Sequence, residues 1–232
     1  MPIQLYDLAA ADPRIMFSPF CWRIRMALLH KGLEFEVLPW RFSDRSATAA
    51  AGFSSVPVIK DGETWVGDSW DIACYLDTAY PDRPLLMAGA EGVAHARLVA
   101  ALCGKLIFPA AIRIALWQAY QILDPASQSY FRESREKMFG ARLEDLHADE
   151  ASGRAGLATA LAPFDEVLGS CDYLKGDSPA YADYLLFGVL KWTDIVSSYA
   201  PIDLTSASGR WFTRLQTLYG GYAADARTVR SR

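Results

Sequence analysis

Ser55-Val56-Pro57-Val58-Ile59-Lys60-Asp61-Gly62-Glu63-Thr64-Trp65-Val66-Gly67-Asp68-Ser69 is the stretch on which the fold turns. Val56 to Lys60 and Thr64 to Val66 are short β-rich runs on either side of Asp61-Gly62, a tight-turn pair, so they are predicted to be antiparallel neighbours in a hairpin. Pro57 cannot donate to a ladder and belongs at the start of a strand or on an edge. Asp68-Ser69 then opens Ser69 to Ala79, where Trp70, Ala73, Cys74 and Leu76 recur at helical spacing, and Tyr80-Pro81-Asp82-Arg83-Pro84 cannot continue that helix. Working back toward the N-terminus, Ile3 to Leu8 reads as a strand, Pro19 to Lys31 as a helix closed by Gly32, and Phe35 to Leu38 as the next strand. Ser43 to Ala51 is a weak, alanine-rich helix or loop. The order β-α-β followed by β-β-α predicts an α/β layer with a mixed sheet and a right-handed first crossover.

Working forward, no further hairpin signal follows the proline-containing segment, and the chain reads as successive helices. Val93 to Gln121 is predicted as one long apolar helix bent at Pro109, followed by a strongly charged Ser127 to Glu150. Gly153 to Gly169, Ala182 to Tyr199 and Arg210 to Tyr219 complete the set, with Ala223 to Arg232 expected to be a polar, frayed tail. The expected organisation is a first domain over residues 1–80, a linker over 81–91 and an all-helical domain over 92–232.

With 232 residues, of which 52% are hydrophobic and 22% charged, the chain has the composition of an ordinary folded protein with room for a sizeable core. A net charge of −4 and a pI near 5.4 argue against a phosphate-tracking surface, so no nucleic-acid partner is expected. Charges or prolines interrupt every candidate bilayer span, and the first residues run directly into a strand without a leader pattern, so a cytoplasmic location and no membrane association are expected. Cys21, Cys74, Cys103 and Cys171 are scattered, which suits reduced thiols. His30, His95 and His147 are isolated, and neither a P-loop nor a GxGxxG follows a strand, so neither a metal nor a nucleotide cofactor is expected.

Chemistry concentrates in three places. Ser18-Pro19 caps the first helix, where free backbone N–H groups and the positive dipole end favour an anion. Val56-Pro57 begins a strand, and Asp68-Ser69 begins another helix. Each of these, alone, is more often a cap or an edge than a site. Together, in this order, they resemble the thioredoxin superfamily and, within it, the glutathione S-transferases.

That resemblance implies a thioredoxin-like first domain joined to an all-α domain. It further implies a cis proline at Pro57, with the backbone of Val56 pairing with the cysteinyl unit of glutathione and Asp68 and Ser69 holding its γ-glutamyl end. The implied glutathione-binding set is Phe20, Ser55, Val56, Pro57, Asp68 and Ser69, and glutathione is the co-substrate. Ser18 is the implied catalytic residue, its hydroxyl stabilising the thiolate. Tyr6 lies mid-strand and is expected in the core, while Cys21 sits one turn inside the helix, where the resolving rather than the attacking cysteine of the superfamily's redox motif belongs. Phe108, Trp117 and Tyr120 are candidates to line an acceptor pocket, although aromatics at helical spacing are more often plain core.

Phe17 to Arg23, Ser55 to Ile59, Asp68 to Ala73, Tyr80 to Pro84 and Ser134-Arg135-Glu136 with Arg142-Leu143-Glu144-Asp145 are, more narrowly, similar to bacterial β-etherases and the related fungal etherase-like transferases. The implied reaction is attack of glutathione thiolate on an apolar, aromatic small-molecule electrophile, with β-aryl ether cleavage as its special form, in a homodimer. Two other readings stay open: a non-catalytic glutathione- or ligand-binding protein on the same fold, and a thiol oxidoreductase using Cys21. One departure concerns the last domain, where the family's helix-capping Ser or Thr is replaced by Ala180, with Asp183 three residues on.

Overall fold

A computed structural model describes residues 2–231. Its first unit is a four-stranded sheet of β1 (Ile3–Leu8), β2 (Phe35–Trp40), β3 (Val58–Asp61) and β4 (Thr64–Gly67) in the order β2-β1-β3-β4. β1 pairs parallel with β2, from Ile3 opposite Phe35 to Leu8 opposite Trp40, while β3 runs antiparallel to β1 and β4. β2 extends past the expected Leu38 and tolerates Pro39 because it is an edge strand. The hairpin lies one residue later than expected: Asp61 pairs with Thr64, so the turn is Gly62-Glu63, with Gly62 at φ 57°. Asp61 is thereby free to accept from the hydroxyls of Tyr75 and Tyr80. Helices α1 (Pro19–His30), the short α2 (Ser46–Ala49) and α3 (Ser69–Ala79) complete the unit.

The chain then becomes helical: α4 (Gly89–Leu102), α5 (Phe108–Gln121), α6 (Pro125–Phe139), the single turn α7 (Leu143–Leu146), α8 (Glu150–Leu168), α9 (Tyr181–Val196) and α10 (Ala207–Gly221). The long helix expected over 93–121 starts at Gly89 and is split by a π turn, Cys103–Ile107, in which the Phe108 N–H bonds the Cys103 carbonyl. Pro109 has no N–H for residue 105, and the widened turn absorbs the mismatch. The run Gly89–Gln121 is, by length and composition, apolar enough to cross a bilayer, although Glu91, Arg97, Lys105, Pro109 and Arg113 interrupt it. In the fold its Val99, Cys103, Ile107, Ala111 and Ile114 are buried against neighbouring helices. The charged helix expected over 127–150 stops at Phe139, because Gly140 turns left-handed at φ 65° and caps it.

α9 is buried along nearly its whole length and packs most extensively against α1. Its start lacks a capping hydroxyl at Ala180, and Asp183 compensates. That buried carboxylate accepts from the N–H groups of Ala180 (2.9 Å) and Leu174 (2.8 Å) and from Trp211 Nε1 (2.8 Å). The tail expected to fray is pinned instead as far as Arg230, while Arg232 lies outside the described residues. Val229 N–H bonds the Ile195 carbonyl at 2.9 Å, and Arg230 reaches Asp194 at 2.6 Å and the Ser197 carbonyl at 2.7 Å. Residues 80–87 are also fixed: the N–H groups of Leu86 and Met87 bond the Asp77 carboxylate, which pairs with Lys31 at 2.8 Å.

The α1–α9 seam carries a pH-sensitive group. His30 Nδ1 lies 2.8 Å from the Tyr184 hydroxyl, which in turn meets the Tyr219 hydroxyl at 2.6 Å. Burial lowers the His30 pKa from 6.5 to about 4, with Asp77 opposing it to a smaller extent and Lys31 and Lys175 adding to it. Between those values the unfolded chain binds a proton that the folded chain refuses, so stability rises with pH across the window. The His30 contribution is fully present above pH 6.5 and is lost as the pH falls through 4, a swing on the order of 3 kcal/mol. Urea midpoints between pH 4 and 7 are expected to fall less steeply toward acid in His30→Gln than in wild type; parallel curves would remove His30 from the account.

Candidate functional site

The N-terminus of α1, the β3 approach and the N-terminus of α3 converge on one cleft of about 580 Å³ whose far wall comes from α5, α6 and α9. Ser18 is buried at the mouth of α1, extended at φ −62°, ψ 125°, and its Oγ accepts from the Cys21 N–H at 3.3 Å. That contact uses an oxygen lone pair and leaves the hydroxyl proton available to the cleft. Pro19 has no N–H, and the Phe20 N–H has no protein partner among the described residues, so the helix start presents positive potential.

Val56-Pro57 is a cis peptide bond, and the β1–β3 ladder ends at Val58. Val56 therefore lies beyond the ladder, and among the described residues neither its N–H nor its carbonyl has a backbone partner. Asp68 adopts φ 69° and caps α3 through Oδ1, accepting from the N–H groups of Trp70 (2.7 Å) and Asp71 (3.3 Å). Its Oδ2 and the Ser69 N–H are without protein partners among the described residues, a matched acceptor and donor side by side. Ser69 is buried, and its carbonyl accepts from the Tyr181 hydroxyl, tying α3 to α9.

Ser18, Phe20, Ser55, Val56, Pro57, Asp68, Ser69 and Phe108 all line this cleft. Phe20, 40% exposed, stacks on Phe108 with ring centroids 5.6 Å apart, so the two units share an aromatic pair at the mouth. Behind Phe20 stands Arg23, buried, its guanidinium carbon 4.6 Å from the ring centroid and its Nε without a partner among the described residues.

Trp117 and Tyr120 do not reach the cleft. They stack on each other 5.2 Å apart, with the Arg132 guanidinium 4.6 Å from the Tyr120 ring. The reason is rotational: Phe108, Ile112, Leu116 and Ala119 form the lining stripe of α5, and Trp117 lies about 140° and Tyr120 about 80° around the helix from its middle. Sequence reading missed the α6 wall, where Phe131, Arg135, Met138 and Phe139 line the cleft. Their i, i+4, i+7, i+8 spacing is a helical stripe, a signal masked by the charges around it.

Tyr6 is buried and stacks on Trp65 across the sheet. Cys21 is fully buried with Sγ 3.9 Å from the Tyr6 carbonyl, and burial, aided by neighbouring Asp7, pushes its thiol well above the usual range. Asp7 pairs with Arg25 at 2.7 Å beneath the sheet. Among the described residues no group of three or more His, Cys, Asp or Glu side chains is disposed to hold a metal ion.

Comparison with known proteins agrees with this arrangement. The glutathione S-transferase N-terminal domain family matches residues 17–79, and the C-terminal domain family matches residues 94–218. The chain belongs to the glutathione S-transferase family. Among its relatives in this family is the glutathione S-transferase-like protein ustS of Aspergillus flavus, 32% identical over 83% of this chain and 80% of the relative. The fold superposes on glutathione transferase GSTFuA3 from Phanerochaete chrysosporium with a TM-score of 0.82 at 27% identity, covering 96% of this chain and 97% of the other. It superposes equally on CsGST63524 of Ceriporiopsis subvermispora, solved in complex with glutathione, with a TM-score of 0.82 at 25% identity over 96% and 98% of the two chains. The thioredoxin-like first unit and the all-α second unit are those of the glutathione S-transferase family.

Proposed function

We propose that this chain is a catalytic glutathione transferase in which Ser18 holds the glutathione sulfur as a thiolate for attack on an apolar aromatic electrophile. The carrying observation is that the Ser18 hydroxyl opens into the same cleft as the unpaired backbone of Val56 and the Asp68-Ser69 pair, whereas Cys21 is sealed beneath it. Glutathione laid along that edge would pair its cysteinyl backbone with Val56. Its γ-glutamyl ammonium would reach Asp68, and its carboxylate the Ser69 N–H at the α3 terminus.

A free thiol near pKa 8.5 is mostly protonated at neutral pH, and bringing it down by about two units takes roughly 2.7 kcal/mol. A hydroxyl-to-thiolate bond at about 1.5–3 kcal/mol and a helix terminus at about 0.3–1 kcal/mol supply that without a separate base. The glutathione proton leaves to solvent. The thiolate then forms a carbon–sulfur bond as the bond to the leaving group breaks, the leaving group departing with its electron pair. In the β-etherase form of the reaction the leaving group is an aryloxide displaced from the carbon beside a ketone, and the product is a glutathione thioether plus a phenol. The buried, unactivated Cys21 argues against thiol–disulfide exchange.

Titrating glutathione into the protein while following ultraviolet thiolate absorbance tests this reading. A transferase shows an ionisation midpoint near neutral pH that Cys21→Ser leaves in place. A pure binding protein takes up glutathione with the midpoint of the free thiol, and that result would overturn the proposal. A homodimer is part of the same reading, and sedimentation as a single 25.6 kDa species would remove it.

A further inference from the structure

The acceptor half of the cleft is almost wholly apolar, with one exception. Phe42, Phe131, Met138 and Phe139 line it together with Arg135, and apart from Asp68 on the glutathione side Arg135 is the one charged residue among the described lining residues. Its guanidinium carbon lies 5.0 Å from the Phe131 ring centroid and 5.8 Å from that of Phe42. Its one protein hydrogen bond among the described residues is from Nη1 to the neutral Ser134 Oγ at 3.2 Å, and no carboxylate lies within ion-pair distance. Arg132, one turn earlier on the same helix, is instead fully engaged: Nη1 meets Glu136 at 2.6 Å and Nη2 meets Glu144 at 2.8 Å. α6 thus carries one guanidinium neutralised by two carboxylates and one held against aromatic rings with most of its donors unused.

Arg135 is half-buried, and a cation partly withdrawn from water without a counter-charge is disfavoured, a cost that ring faces offset only in part. Burial accordingly pulls the Arg135 pKa below the ordinary arginine value. The planar fork of five N–H donors matches a carboxylate, which would supply both the missing charge and the missing acceptors. We infer that Arg135 is a specificity-determining residue that binds a carboxylate carried by the aromatic acceptor, so that the preferred electrophiles are aryl acids rather than neutral arenes. This rests on the cleft's being the acceptor site of the transferase proposed above, with Ser18 and Arg135 approaching the acceptor from opposite units.

The test needs no turnover, because Trp40 and Trp192 also line the cleft and report occupancy by fluorescence. The probes are 4-phenoxybenzoate and its methyl ester, which differ in one charge at nearly constant shape. Wild-type protein is expected to bind the acid about tenfold or more tighter than the ester. Arg135→Met is expected to bring that ratio close to one, and Arg135→Lys, which keeps the charge but loses the fork, to leave it intermediate. Equal Kd values for acid and ester in the wild type would overturn the inference, even if Arg135→Met failed to fold. An unchanged ratio in Arg135→Met, or an equal loss for both probes, would overturn it as well. Failure of the transferase reading is seen separately, in the thiolate titration with glutathione alone, which involves no acceptor.

Discussion

Ser18→Ala is expected to lower kcat/KM for glutathione conjugation by about ten- to a hundredfold, the equivalent of one hydroxyl-to-thiolate hydrogen bond of about 1.5–3 kcal/mol. The geometry makes the loss specific. Ser18 Oγ already accepts from the Cys21 N–H, so its proton is the group left to face the cleft, and alanine removes it without touching the Val56 edge or the Asp68-Ser69 pair. Affinity for glutathione should therefore change little while the ionisation midpoint of the bound thiol moves up toward the free value near 8.5. The pH profile of kcat/KM should shift to higher pH with it, and saturating alkali should recover part of the rate. Alanine also deletes the helix cap, costing about 1 kcal/mol of stability. A rate loss with no movement of the pH profile would therefore point to the cap alone and sink the catalytic role. An unchanged rate would sink it more directly.

Gly188→Ala is expected to be the most damaging single-methyl change in the α1–α9 seam. A Cβ at 188 would stand 2.2 Å from the Pro19 carbonyl oxygen and 3.0 Å from Arg23 Cγ. The nearer of these is backbone, so relief requires one helix to move rather than one side chain to turn. Overpacking of this kind costs about 1–3 kcal/mol or more, which for a chain of this size lowers Tm by roughly 2–4 °C per kcal/mol. Because Pro19 follows Ser18 directly, a displaced α1 start also moves the hydroxyl relative to Val56 and Ser69. The variant should therefore show weakened thiolate formation together with its lower Tm. A calorimetric scan in which Gly188→Ala melts with the wild type would mean that the seam is looser than its contacts imply.

How much of this was readable before folding differs between the two units. In the first, the decisive signals are local: a hairpin turn, a proline at a strand start, and hydroxyl or acidic caps before helices each constrain backbone angles within a few residues. The strand and helix order of residues 3–79 could therefore be written down from residue order and motif spacing, whereas the candidate set Ser18, Phe20, Ser55, Val56, Pro57, Asp68 and Ser69 came from the resemblance to the glutathione S-transferases. The misplacements were small and local, as at Gly62-Glu63, where the pairing of Asp61 with Thr64 set the register. In the second unit, apolar periodicity marks helices but not their rotation or their breaks. The π turn before Pro109, the stop at Gly140 and the anchored tail at Val229-Arg230 all depend on what the neighbouring segment offers in packing and hydrogen bonds.

The amino-acid order by itself thus determined the α/β-then-α architecture, because that rests on caps, turns and periodicities that act over a few residues. Only the tertiary structure decided which side chains form the helical wall of the cleft. Whether Trp117 or Ile112 faces the cleft is set by a helix's rotation, and whether Arg132 or Arg135 keeps a free guanidinium is set by where Glu136 and Glu144 come to lie. Such choices are made between segments distant in sequence, through packing that no local propensity encodes.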